Sequence, residues 1–403
     1  MITVFTSNAD EHAVKRHHAL TELIQQEADR RAPLTFARFM ELALYTPALG
    51  FYEQRGKPIG RQGDFFTSVS VGPLFGELLA CQFTQWLDNL PASRPIIVEA
   101  GAHDGQLAQD VLTALARADS NLFARVEYWI LEPSVHRRHW QNEKLATFNR
   151  HVRWFESWTE LYSFRDATGQ GLTGIIFANE LLDAFPVHRL HWDGSAGEWR
   201  ECVVIRDGEG FAISKALPGS EVAAYGRHLT ALLSGQDERP LWPNLPKELL
   251  AVLPDGFTIE ICPSAVEWWR QAGQALTRGW MLTLDYGLQA EDCFAPHRAN
   301  GTIRAYHEHR TTADVLARPG QQDLTAHVNF TALELAGKSS GLVTEALTSQ
   351  SDFLTASLRQ RAKRGEVELA LEQIRQFQTL THPDHLGRAF KVLVQSRGIT
   401  AER

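Results

Sequence analysis

The run Ile96-Ile97-Val98-Glu99-Ala100-Gly101-Ala102-His103-Asp104-Gly105 decides the fold. Its first three residues form a short, continuously apolar strand, as expected where a sheet is covered on both faces. Gly101 and Gly105 then let the backbone turn sharply and leave room for a ligand to approach it. Residues 106–117 read as a helix. Strand, glycine turn and helix form the unit of a doubly wound sheet, whose ligands lie over the carboxyl ends of the strands. Working outward, further strands are expected at 127–131, 152–155, 175–178, 281–284 and 390–395, alternating with helical segments. That alternation favours an α/β fold with a Rossmann-like parallel sheet.

The flanks differ in character. Residues 11–44 show apolar residues at helical spacing, with Pro33 suited to the first turn of a second helix. A Gly- and aromatic-rich loop follows, ending in Gly63-Asp64-Phe65-Phe66-Thr67-Ser68, and then a helix at about 73–87. Between the fourth and fifth strands, 188–192 and 201–206 suggest a hairpin, and 240–254 a Pro- and Leu-rich cover. The expected organisation is an N-terminal helical extension with an active-site loop (1–90) and a cofactor-binding core (91–185). An insertion or lid (186–262) and the C-terminal half of the core with added helices (263–403) complete it.

Composition bounds the function. At 403 residues and 44% hydrophobic, the chain can bury a large core. Its net charge of −8, without a basic run interleaved with aromatics, argues against a nucleic-acid partner. Cys81, Cys202, Cys262 and Cys293 are too far apart in sequence for a zinc pair, and no metal site is expected. No apolar stretch reaches the roughly 20 residues of a membrane span. Asp10, Glu11 and Lys15 with no apolar run after them do not make a secretory signal, and the segment is too acidic for a transit peptide. These features lead to an expectation of a cytoplasmic protein. Trp268 and Trp269 are candidates for a homodimer interface or for a core edge.

Three signals locate chemistry. Glu99 inside the glycine turn would repel a pyrophosphate, which disfavours a nicotinamide cofactor. It is compatible with S-adenosylmethionine (SAM), which has no phosphate and carries a cationic sulfonium. Glu132, at the end of the second strand, is suited to accept hydrogen bonds from ribose hydroxyls. The run Ala178-Asn179-Glu180-Leu181-Leu182-Asp183-Ala184-Phe185-Pro186 places two carboxylates three residues apart at the strand edge where α/β enzymes hold their chemistry.

These residues resemble the MidA/NDUFAF7 family (DUF185), SAM-dependent methyltransferases related to a mitochondrial complex I assembly factor. The resemblance runs from about residue 33 to 395. It rests on Phe39–Tyr52, Gly63–Ser68, Phe75–Leu78, the Glu99 turn, Glu132-Pro133-Ser134 and, most specifically, Ala178–Pro186. Asp285-Tyr286-Gly287, Gly301–Tyr306, Asp323–Phe330 and Phe390–Leu393 continue it. It implies a seven-stranded class I SAM methyltransferase sheet with additions, SAM as donor, and an arginine side chain of a protein as acceptor. It differs in two places: Ala102 and His103 replace a proline and a glycine of the family's turn, and Ser70 stands where a carboxylate is common.

The site expected from all this has Glu180, Asp183 and Asp64 as catalytic residues. Glu99, Gly101, His103, Gly105, Glu132, Asn179 and Thr67 are expected around the cofactor. Asp285 and Tyr286 are further candidates at the same mouth, and His327 is a candidate proton acceptor. Methyl transfer is an in-line displacement at an already activated carbon, so the protein mainly positions and desolvates. A guanidinium acceptor needs carboxylates to orient it and to take its charge. The competing expectation is a SAM-binding assembly factor without catalysis, prompted by the altered turn.

Overall fold

The computed structural model describes residues 8–30, 33–54, 67–169, 171–233, 241–307, 310–312, 314–365 and 368–399. Its central sheet is built from β1 (Ile96–Ala100), β2 (Glu127–Leu131), β3 (Val152–Phe155), β4 (Leu172–Asn179), β5 (Leu276–Leu288), β6 (Val343–Ser349) and β7 (Phe390–Arg397). The strand order is β6-β7-β5-β4-β1-β2-β3, and β7 alone runs antiparallel to its neighbours. An eighth, two-residue strand, Val328–Asn329, pairs with the end of β5. β6 escapes the sequence reading because most of its residues are only half-buried, so no apolar run marks it.

Alternation along each strand sends neighbouring side chains to opposite faces. Ile96 and Val98 pack into one core, while Ile97, with Tyr128, Ile130 and Phe177, packs into another. That is the physical reason for the unbroken apolar run in β1. The helix Gln106–Ala118 lays Leu107, Ala108, Val111, Leu112 and Leu115 against the second core.

The insertion forms a second sheet. His188–Asp193 pairs antiparallel with Glu198–Asp207, as the hairpin pattern predicts, and Gly210–Ala216 and Thr258–Ile261 extend it. Leu34–Thr35 joins the same sheet through Val204 and Val203. This corrects the placing of Pro33 in a helical turn: the chain is extended at 34–35, and the helix Phe36–Tyr45 starts from Thr35, whose hydroxyl accepts the Arg38 N–H. A third sheet of three short strands holds Asp323–Thr325 against Arg304–His307. Among the described residues no helix is long and apolar enough to cross a membrane.

Candidate functional site

The carboxyl ends of β1, β2 and β4 open on one cavity of about 1460 Å³. That exceeds the roughly 300–1,000 Å³ of a usual small-molecule site, so it has room for a cofactor and part of an acceptor. Glu99, Gly101, His103, Glu132, Asn179, Glu180, Asp183 and Thr67 all line it. Residues 81 positions apart in sequence, from 99 to 180, thus meet because parallel strands end at one edge.

Gly101 (φ 72°), His103 (φ 47°) and Gly105 (φ 88°) all take left-handed backbone. At Gly101 the space is also closed: a Cβ there would lie 2.6 Å from Leu181 Cδ1. His103 takes the strained conformation without being glycine, half-exposed beside Asp104 at 3.8 Å. Its carbonyl accepts Gln141 Nε2, which helps hold the turn. Gly105 stands off the cavity wall and serves the turn into the helix Gln106–Ala118.

Two carboxylates on the cavity wall, Glu99 and Glu132, have contrasting surroundings. Glu99 is 2% exposed and accepts the Tyr128 hydroxyl at 2.6 Å. Burial pushes it up to about 8, with the Tyr128 hydrogen bond opposing. Glu132 is equally buried but well supplied with donors. Oε1 accepts Arg137 Nε and the Ser134 N–H, both at 2.9 Å, and Oε2 accepts Gln141 Nε2 at 3.2 Å. A carboxylate has about four acceptor positions, so Oε2 retains one. Arg137, five residues after Glu132, was not singled out from the sequence.

In the acidic turn, Glu180 holds positive φ (49°), a conformation that costs a non-glycine residue about 1 kcal/mol or more. Its N–H donates to Leu284 O, so the turn is tied to β5. Oε1 accepts the Ser68 N–H (2.8 Å) and Asn179 Nδ2 (3.2 Å). Burial raises this carboxyl to about 8. Asp183 is 4% exposed, and burial, then the Asp285 and Asp323 charges, raise it well above the ordinary carboxylate range.

Asp285 does not line the cavity, contrary to the expectation of a mouth residue, and neither does Tyr286. Asp285 caps the turn instead: its carboxylate accepts the N–H groups of Leu182, Asp183 and Tyr286. Asp64 lies outside the described residues. Thr67 caps a short helix, Ser68–Val71, in a reciprocal pair with Ser70. This gives Ser70 a local task that a longer acidic residue performs differently. Trp268 is part of the cavity wall, and Trp269 is fully buried with its Nε1 donating to Gln395. Trp269 is thus a core residue rather than a surface one.

Sequence reading also passed over Tyr45 and Tyr52, which line the cavity from the N-terminal segment. Only their place in the aromatic-rich run 45–52 could have signalled them.

Among the described residues, three buried polar atoms on cavity residues have no hydrogen-bond partner: Asn179 Oδ1, Glu180 Oε2 and Trp158 Nε1. Asn179 Oδ1 as an acceptor and Trp158 Nε1 as a donor suit a ligand that carries both amino or hydroxyl donors and ring-nitrogen acceptors, as SAM does. The donor set therefore fits the cofactor expected from sequence.

A sheet of this order with a single antiparallel strand, opening on such a cavity through a glycine turn, defines a methyltransferase of the SAM-dependent class. Residues 78–348, about two thirds of the chain, match a family described as "Putative S-adenosyl-L-methionine-dependent methyltransferase", and the chain belongs to that family. It is a SAM-dependent methyltransferase. A Burkholderia thailandensis COG1565 superfamily member bound to S-adenosyl-homocysteine has a crystal structure of the same fold. The two share 28% identity with a TM-score of 0.78, over 97% of this chain and 95% of that one.

Among curated proteins, the Drosophila melanogaster "Protein arginine methyltransferase NDUFAF7 homolog, mitochondrial" is 26% identical over 98% of this chain and 88% of its own length. The Rattus norvegicus "Protein arginine methyltransferase NDUFAF7, mitochondrial" is 25% identical over 89% of this chain and 80% of its own length. These relatives overturn the cytoplasmic expectation, for they are mitochondrial. Compartment is set by an address that is no part of the fold, so N-terminal charge and the lack of an apolar span were weak grounds.

Proposed function

We propose that the chain methylates an arginine side chain of a protein. The observation that carries this reading is Glu180: a carboxylate on the cavity wall, half satisfied by Ser68 and Asn179, with its other oxygen buried and unpartnered. An incoming guanidinium has N–H groups to fill that vacancy and a charge to compensate Glu180 and Asp183. The names of the curated relatives, protein arginine methyltransferases, support the same acceptor.

When bound, SAM supplies a methyl group already activated by its sulfonium. The residues to hold it are Glu99, Gly101, His103, Asn179 and Thr67, with Gly105 shaping the turn and Glu132 offering its remaining acceptor position to a ribose hydroxyl. Glu180 and Asp183 orient the guanidinium and hold its charge. Their raised affinity for protons also suits them to take the proton that the methylated nitrogen releases. The Tyr45 and Tyr52 side keeps water from the acceptor.

The test is transfer of labelled methyl from SAM to protein arginine. Glu180→Gln and Asp183→Asn should each lower kcat by about a hundredfold or more while S-adenosyl-homocysteine still binds. Two variants that bind this product normally and transfer at the wild-type rate would remove the assignment. Cofactor binding by the wild-type chain without transfer to any protein would favour a binding role.

A further inference from the structure

We infer that Asp323, held by the Tyr52 hydroxyl, is the residue that selects a planar guanidinium over an ammonium at the acceptor site. This rests on the arginine reading above and adds a residue to it. Asp323 belongs to the short strand Asp323–Thr325, is 5% exposed, and lines the same cavity as Glu180 and Asp183. It therefore brings a third carboxylate to the acceptor side from a separate element.

Its position is built rather than incidental. Tyr52 Oη donates to Asp323 Oδ1 at 2.8 Å. The Tyr52 ring stacks on Tyr45, with centroids 5.6 Å apart and planes 22° from parallel. Tyr45 Oη donates in turn to Ala184 O at 2.8 Å, next to Asp183. On the other side the Ala326 N–H donates to Asp183 O at 2.8 Å. Three hydrogen bonds and a ring stack thus join the Asp323 segment, the acidic turn and the N-terminal segment into one frame.

That frame has a consequence for selection. A single carboxylate can take a guanidinium in a two-point pair or an ammonium in a one-point pair, so by itself it excludes neither. Carboxylates fixed on separate elements, beside a flat aromatic pair, match a flat cation that has five donors in a fixed fork. An ammonium is a compact, strongly hydrated point charge and satisfies fewer of them. Asp183 feels the Asp323 charge, and a cation that reaches both carboxylates relieves that repulsion.

The experiment is calorimetric titration of the full chain, saturated with S-adenosyl-homocysteine, with the peptides Gly-Gly-Arg-Gly-Gly and Gly-Gly-Lys-Gly-Gly. The wild-type chain should bind the arginine peptide at least about tenfold more tightly. Asp323→Asn should weaken arginine binding by about ten- to a hundredfold, abolish the preference, and leave the affinity for S-adenosyl-homocysteine unchanged. Tyr52→Phe keeps the carboxylate but removes the hydroxyl that orients Oδ1, and should lose part of the preference. If Asp323→Asn disturbs product binding as well, Tyr52→Phe decides, and an undiminished preference there overturns the inference. If Glu180→Gln loses arginine binding while Asp323→Asn keeps it, the inference falls and the arginine reading stands. A wild-type chain that prefers neither peptide overturns the arginine reading itself.

Discussion

The Glu180 carboxylate accepts the Ser68 N–H at 2.8 Å, joining two residues 112 positions apart. The short helix Ser68–Val71 thus aims its first N–H at the acidic turn, and this hydrogen bond favours the ionised carboxylate against the burial that opposes it. The side chain expected to handle the acceptor is tuned by a backbone group from the N-terminal segment.

Ser68→Pro tests that tuning. Proline is tolerated at the first position of a helix, and Thr67 before it is extended (ψ 159°), as a residue preceding proline should be. The substitution removes the N–H with little strain. Glu180 should then hold its proton to still higher pH, and methyl transfer near neutral pH should fall by about tenfold, with part regained near pH 9. Ser68→Ala, which loses only the hydroxyl bond to Gln350, is the control and should keep most activity. Equal activity of the proline variant and the control would show that the N–H does not matter.

Glu99 makes the empty protein's stability depend on pH. Its folded-state value of about 8 lies above the ordinary 4.5, so the folded chain binds its proton more tightly than the unfolded chain does. Stability therefore falls as pH rises from about 4.5 to about 8 and levels off above that. Glu99→Gln should flatten the fall by up to about 1.4 kcal/mol per pH unit across this window. Denaturant midpoints of both proteins, measured at several pH values, give the difference directly, and parallel curves would contradict the assignment. A cationic cofactor favours the ionised form, so its stabilising effect on the wild-type chain should grow with pH.

Glu132 and Arg137 form a buried pair, so removing one partner leaves the other's charge buried with weaker compensation, Glu53 at 4.0 Å for Arg137 and the Ser134 and Gln141 donors for Glu132. Arg137→Met and Glu132→Gln should each cost about 3–5 kcal/mol in chemical denaturation, and the double variant less than the sum of the two. The double variant also separates two roles of Glu132. Recovered stability with product affinity still reduced by about tenfold marks a ribose contact as well as an ion pair. Full recovery of both confines Glu132 to the ion pair.

The sequence by itself determined the class of fold and singled out residues that the folded chain gathers around one cavity. Those features are local: an apolar run covered on both faces, a turn that demands glycine at Gly101, and an acidic pair directly after β4. Each leaves its mark within about ten consecutive residues. β6 left no such mark, because its half-buried residues carry no apolar pattern.

Tertiary structure decided what each charged residue is free to do. Asp285, adjacent in pattern to the mouth, is consumed in capping the acidic turn, whereas Glu180 keeps an oxygen without a partner. Glu132 was legible as a carboxylate at a strand end, but its engagement with Arg137 and Gln141 was not. Asp323 and Tyr52 meet across 271 positions, and no local pattern records a contact of that range. Hydrogen-bond capacity is finite, and only the folded packing shows where it has been used.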